Sequence, residues 1–164
     1  MTKPLTIREA TEQDWQAVWP FFQDIVKRAD TYGIDPEISK GAARTLWCEL
    51  PEKSFVALTG NQIAGTYYLK TNHAGPGNHV CNCGFMVDAD YRGQGLASSM
   101  CEHSQKIAKS LGYRAMQFNF VASSNIGAIR LWEKLGFSIQ ARLPDAFQHP
   151  RLGFIDALVM YKWL

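Results

Sequence analysis

The chain has 164 residues, 46% hydrophobic and 20% charged, which fits one soluble domain whose core needs no disulfide or metal staple. Its net charge of +2 comes from scattered basic and acidic residues, which argues against nucleic acid as the main partner. No apolar run approaches the roughly 18 residues that span a membrane. The opening Met-Thr-Lys-Pro-Leu-Thr carries no secretory segment, so Cys48, Cys81, Cys83 and Cys101 read as free thiols in a reducing cytoplasm.

Residues 5–8 alternate apolar and polar and predict a first strand. Thr11, with Asp14 three places on, forms a loose capping box. It predicts a helix carrying Trp15, Val18, Trp19, Phe22, Ile25 and Val26 on one broad face. Pro20 inside that run predicts a kink or a break. The aromatics Trp15, Trp19, Phe21 and Phe22 read as core rather than as a pocket. Residues 31–36 read as a loop. A second helix is predicted over 38–50, presenting Ala42, Leu46 and Trp47 and closed by Pro51. Strands follow at 54–58 and 63–69, joined by a hairpin turn at Gly60-Asn61. The segment 71–78 reads as a loop, 80–87 as a strand, and 95–111 as a helix that Gly112 ends with a left-handed cap. A strand at 115–121 precedes a helix at 125–135, which Gly136 ends in the same way. The chain finishes with a strand at 137–141, a loop at 144–150 and a strand at 154–161.

There is no repeat, low-complexity tract or dividing linker, so residues 1–164 read as a single domain. The order β-αα-βββ-α-β-α-ββ, about seven strands and about four helices, predicts an α/β fold with a mixed sheet.

The stretch from Asp88 to Ala97, Asp-Ala-Asp-Tyr-Arg-Gly-Gln-Gly-Leu-Ala, joins a predicted strand to a predicted helix. The first turn of a helix has backbone N–H groups without internal partners, and the helix dipole adds partial positive charge there. Gly93 and Gly95 let the backbone approach a bulky anion, and Arg92 adds a fixed charge. The stretch therefore reads as a cradle for a phosphate or pyrophosphate. It lacks the Gly-Lys-Ser/Thr ending of a P-loop and the three spaced glycines of a dinucleotide site.

What remains, Arg92 to Ala97, resembles the acyl-CoA loop Gln/Arg-x-x-Gly-x-Gly/Ala of the GNAT acetyltransferases. The segment from Asn125 to Phe137, with Ala128, Leu131, Trp132 and Gly136 inside it, resembles that family's second signature, Asn-x-x-Ala-x-x-Leu-Tyr-x-x-x-Gly-Phe. By itself Asn125 reads as a helix N-cap. Two motifs in the right order on the right elements identify the chain as a GNAT-like α/β protein across nearly its whole length. The resemblance implies acetyl-CoA as cofactor, with its pantetheine arm between the strands 80–87 and 115–121. It implies cofactor contacts at Val87, Arg92, Gly93, Gln94, Gly95, Leu96, Ala97 and Asn125. One departure stands out. The family's Tyr, which protonates the leaving thiolate, is here Trp132, and an indole N–H is a very poor acid.

Alternation along the strand 80–87 puts His79, Cys81, Cys83, Phe85 and Val87 on one face and Asn82 on the other. The His-x-Cys-x-Cys spacing has no evident fourth ligand and continues into apolar residues, so no metal site is predicted. Asn82 reads either as an oxyanion donor aimed at the cleft or as an asparagine bonded to a loop. The set Asn82, Asn119 and Asn125, with Trp132, resembles a fungal GNAT branch that acetylates proline analogues such as azetidine-2-carboxylate. That likeness implies that Asn82 steadies the reacting centre and is catalytic, and that Asn119 holds the substrate's carboxylate.

His79, Tyr67, Tyr68, Asp156 and an ordered water are the candidates for accepting the amine proton. His149-Pro150 reads as a loop entry. The reading that follows is an acetyl-CoA-dependent N-acetyltransferase acting on a small-molecule amine, an amino acid or proline analogue. The rivals are acetylation of a protein N-terminus or lysine, and an acetyl-CoA-binding sensor without turnover. Analogy with dimeric family members implies a homodimer.

Overall fold

The computed structural model describes residues 4–164, so the first three residues of the N-terminal stretch read above lie outside the described residues. Seven strands form one sheet in the order β1-β2-β3-β4-β5-β7-β6. They are β1 (Leu5–Glu9), β2 (Lys53–Thr59), β3 (Gln62–Thr71), β4 (Val80–Val87), β5 (Ala115–Ala122), β6 (Ser138–His149) and β7 (Gly153–Trp163). Every neighbouring pair is antiparallel except β4 and β5, which the helix α3 (Leu96–Ser110) connects as a parallel crossover.

Both faces of the sheet are covered, and the strand alternation explains how. Cys81 and Cys83 on β4 point into a core that includes Met100, Cys101 and Ala108 of α3 and Trp132 of α4 (Ile126–Lys134). Met86, on the other face of β4, joins a second core with Trp15, Val18, Phe22 and Val26 of α1 (Trp15–Arg28) and with Trp47. Of the aromatic residues near the start of α1, Trp15, Phe21 and Phe22 are core, as their spacing predicts, and Trp19 is half-buried against them; Trp15 meets Phe22 edge-on at 5.3 Å. Among the described residues, no helix is long and apolar enough to cross a membrane.

Three local expectations change. First, α1 runs through Pro20 without a break. Pro20 is exposed, so the carbonyl its ring leaves unpaired can be met by water. Second, the predicted helix over 38–50 divides into α2 (Lys40–Arg44), capped by the Ser39 hydroxyl, and a π-helical turn over Thr45–Glu49. The wider turn brings Ala43 rather than Ala42 inward, together with Trp47, whose indole N–H donates to the Thr66 hydroxyl at 3.1 Å. Third, the segment predicted as a loop at 144–150 is largely strand. It belongs to β6, an edge strand, where Pro144 sacrifices no interior ladder bond. A register shift between Leu143 and Phe147 absorbs the irregularity, and Asp145 takes φ 52° there.

The entry to α1 is fixed by one carboxylate. Asp14 accepts both Arg8 guanidinium nitrogens, at 2.7 and 2.9 Å, and the Thr11 N–H at 2.7 Å. These donors, Arg8 first, hold its carboxyl down at about 2. A depressed carboxyl stabilises the fold above its unfolded pKa and loses that contribution as pH falls toward the folded value. The Arg8 side chain is 42% exposed, so solvent screening discounts the pair. Asp14→Asn is expected to lower stability by about 1 kcal/mol at neutral pH. In denaturant titrations the gap from the unaltered chain should close as pH falls from about 4 to about 2.

Candidate active site

β4 and β5 pair over only three positions: Val80 with Ala115, Cys81 with Met116, and Asn82 with Gln117. β4 continues to Val87 and β5 to Ala122, so beyond Asn82 the two strands part. A cleft of about 1150 Å³ opens at this fork. Asn82 sits at its apex and is 5% exposed. Its Nδ2 donates to the Gln117 carbonyl at 2.9 Å, and its Oδ1 accepts the Tyr68 hydroxyl at 2.9 Å. Beneath the parted strands lies an aromatic wedge. Trp132 packs 5.2 Å from Phe85 and 5.1 Å from Phe118, and Phe118 stacks on Phe137 at 4.3 Å.

One end of the cleft is built for an anion. Asp88 accepts the Asp90 N–H and starts a single 3₁₀ turn. Gly93 and Gly95 then take φ 73° and 79°, the left-handed region where glycine alone pays no steric penalty. The first backbone bond of α3 runs from the Ser99 N–H to the Gly95 carbonyl, and Gly95 supplies no side-chain cap. The N–H groups of Leu96, Ala97 and Ser98 are therefore without helical partners and face a cleft that all three residues line. A Cβ at Gly93 or Gly95 would meet nothing within 4 Å, so both glycines border open space. Unpartnered donors, a helix N-terminus, Arg92 and the open β4 edge fit the pyrophosphate and extended arm of a coenzyme A.

The other end is walled by the loop after α1, by β3 and by β5. It carries charges of both signs: Arg28, Asp30 and Lys70. Asp30 lies 3.8 Å from the Arg28 Nε, and its Oδ1 is buried without a hydrogen bond. Lys70 sits across the β3–β4 ladder from Asn82, with its ammonium over the Tyr68 ring. Tyr32 reaches in from the loop after α1 and donates to the Phe85 carbonyl. A one-residue irregularity in the pairing of β5 with β7, between Phe118 and Val121, falls at Asn119 and Phe120, both of which line this end.

Most of the residues singled out from the sequence meet in this cleft. Asn82, Val87, Arg92, Gly93, Gly95, Leu96, Ala97, Asn119 and Asn125 all line it. Gln94 is exposed and does not line it. Asn125 is also the N-cap of α4, its Oδ1 accepting the Ala128 N–H at 3.4 Å. Asn119 is tied at the rim, accepting from Gln117 at 3.0 Å and donating to Asn72 at 2.7 Å. Of the suggested proton acceptors, Tyr68 alone lines the cleft, and burial pushes its phenol well above the ordinary value. Tyr67 bonds His103 at 2.7 Å on the opposite face of the sheet. His79 stacks on Trp163 away from the cleft. Asp156 is held by Arg142 at 2.9 Å, which lowers its carboxyl pKa. His149 accepts two backbone N–H groups and shapes the β6–β7 turn. Cys81, Cys83 and Cys101 are buried free thiols, and no group of three metal-ligating side chains occurs among the described residues.

The sequence reading missed Arg28, Asp30, Tyr32 and Lys70. The run Ala29-Asp30-Thr31-Tyr32-Gly33 reads only as the end of a helix, and Lys70 only as a polar residue of a strand.

Residues 9–137 match the model of the acetyltransferase (GNAT) family. The chain belongs to this family, whose members are acetyl-CoA-dependent acyltransferases. A GCN5-related N-acetyltransferase from Kribbella flavida has the same fold, with a TM-score of 0.93 and 38% identity, each chain covered to 98%. The GNAT chain is also 33% identical over 98 residues to the N-acetyltransferase aca1 of Schizosaccharomyces pombe, 59% of its own length. It spans about half, 47%, of that relative. The protein yncA from Salmonella typhimurium, whose structure holds its cofactor acetyl-CoA, shares the fold at a TM-score of 0.82 with 21% identity, covering 98% of this chain and 94% of yncA.

Proposed function

We propose that this GNAT chain transfers the acetyl group of acetyl-CoA to the amine of a small amino acid, with cyclic imino acids related to proline as the first candidates. The observation that carries the reading is that one cleft joins the unpartnered α3 N–H groups to an acceptor end bearing charges of both signs. A zwitterion needs both signs at once, and a simple polyamine needs only the negative one.

Acetyl-CoA, when bound, supplies an acyl group already activated as a thioester. The residues of the chain do the rest. Leu96, Ala97 and Ser98 offer N–H groups to phosphate oxygens, with Arg92 adding charge. Val87 and the open edge of β4 offer backbone groups to an extended arm, as a strand does to a neighbour. Asn125 flanks the arm near its thiol end. Asn82 has spent one of its two amide N–H groups on Gln117, and the other is available at the apex to a developing oxyanion. Lys70 and Asn119 hold the acceptor's carboxylate. Asp30, with an oxygen left unbonded, holds the ammonium and takes up its proton. The same proposal takes residues 1–164 as one catalytic domain in the cytoplasm, a reducing compartment that suits its unpaired cysteines.

The deciding experiment follows free thiol release from acetyl-CoA against a panel of amino acids, azetidine-2-carboxylate, 4-hydroxyproline, polyamines and a short peptide. Turnover with imino or amino acids is expected. Turnover with the peptide alone would favour protein acetylation, and binding without turnover would favour a sensor. With a reactive amine in hand, Asn82→Ala should lower kcat about a hundredfold while the KM for acetyl-CoA stays within about threefold. Arg92→Glu should weaken CoA binding by about tenfold in calorimetry, and an unchanged affinity would remove Arg92 from the cradle.

A homodimer completes the proposal. β6 is an exposed edge strand with Ile139 and Leu143 at the surface. Light scattering should return twice the 18.5 kDa of one chain, and Ile139→Lys should shift the mass toward the monomer.

A further inference from the structure

Trp132 leaves the departing sulfur without the hydroxyl that the family's tyrosine carries at this position. Three tyrosines line the cleft, and their hydroxyls are differently engaged. Tyr91 donates to the Gln62 side chain at 2.5 Å, at the anion end. Tyr68 donates to Asn82 at 2.9 Å, so its proton is held at the apex. Tyr32 donates to the Phe85 carbonyl. Phe85 lies on β4 beyond the last residue paired to β5, so Tyr32 reaches the strand where its edge is open.

Position along the strand decides what this hydroxyl can meet. The anion end lies past Val87 and the apex lies at Asn82. A strand advances about 3.3 Å per residue, so an extended arm anchored at α3 and running toward the apex passes Phe85 on its way. Tyr32 and Trp132 approach that point from opposite faces of the sheet. The Trp132 ring packs on Phe85 from α4, whereas the Tyr32 ring is held edge-on against Trp47 at 6.1 Å. An arm that pairs with the β4 edge offers its own amide N–H to the Phe85 carbonyl and thereby frees the Tyr32 O–H.

We propose that Tyr32 donates a hydrogen bond from its Oη to the sulfur that leaves in acetyl transfer, in place of the hydroxyl that Trp132 lacks. The inference rests on the reading of the cleft as an acetyl-CoA site. As the amine nitrogen bonds to the acyl carbon, the C–S bond breaks and its electron pair goes to sulfur. The amine proton passes to Asp30 or to water, and the sulfur leaves as a thiolate. No proton leaves Tyr32. Burial pushes its phenol above the ordinary tyrosine range, so it stays protonated and acts as a donor rather than as an acid.

The test uses the whole chain with CoA, the product thiol, and reads the thiolate's ultraviolet absorbance against pH. A donor to sulfur favours the thiolate, so the unaltered chain should bind CoA more tightly as pH rises through the thiol's ionisation. Tyr32→Phe removes one oxygen and keeps the ring against Trp47. It should lower the bound thiol's acid dissociation constant about tenfold, with a small fall in thermal midpoint as the Phe85 carbonyl loses its donor and with the affinity for CoA at low pH within about threefold. With a reactive amine, kcat should fall about thirtyfold and the KM for acetyl-CoA should stay within about twofold. An unchanged thiol ionisation in Tyr32→Phe, or a CoA affinity in the unaltered chain that does not rise with pH, overturns the role of Tyr32 and leaves the cleft reading intact. Failure of the unaltered chain to bind CoA at any pH overturns both.

Discussion

The structure turns on the point at which β4 and β5 cease to pair. A strand edge inside a protein is costly, because each unpaired backbone N–H or C=O gives up a hydrogen bond to water without a replacement. This sheet nonetheless opens in its middle after three residue pairs. The Asn82 side chain ties the two strands together at the last rung, and Tyr32 covers one carbonyl of the open edge. The remaining edge suits an extended ligand that completes the sheet locally as another strand would.

The same constraint gives Trp132 a purpose that its poor acidity does not suggest. Parted strands need something solid beneath them, or the sheet would close and fill the cleft. Phe85 and Phe118, one on each strand just past the fork, lie 5.9 Å apart and are bridged from below by the indole. An indole is bulkier than a phenol and fills this wedge more completely. With the α4 position given to packing, a hydroxyl from the other face can serve the sulfur. Wedge and hydroxyl then sit on separate elements, each free to vary without the other.

Much of the architecture was legible because local chemistry dictated it. Gly93, Gly95, Gly112 and Gly136 all take positive φ, at the turns where their sequence context requires it. The strand at Val80–Val87 and the cap at Asn125 fall where alternation and capping rules put them. What escaped was set by neighbours distant in sequence. Pro20 read as a kink or break and residues 144–150 as a loop, but Pro20 faces solvent and Pro144 lies on an edge strand, so neither proline interrupts its element. The acceptor end of the cleft was the least legible part. Asp30 and Tyr32 arrive on a loop, Lys70 on β3 and Asn119 beside a β5 irregularity, and no local pattern relates them. For Asn82 the sequence left open a cleft-facing role and a loop bond. Its observed partners are a tyrosine of β3 and the backbone of β5, neither of them in a loop.

The burial of the cysteines has a chemical consequence for a protein that handles coenzyme A. A free thiol generated repeatedly beside accessible cysteines would form mixed disulfides with them under oxidising conditions. Cys81, Cys83 and Cys101 are buried, Cys83 under the lining of the cleft itself, and Cys48 is only partly accessible. Burial also pushes the Cys83 thiol up, Cys101 to about 12 and Cys48 to about 11, so almost none of these is the reactive thiolate at neutral pH. The fold thereby keeps its own sulfur chemistry silent around a cleft suited to a thiol of much greater reactivity.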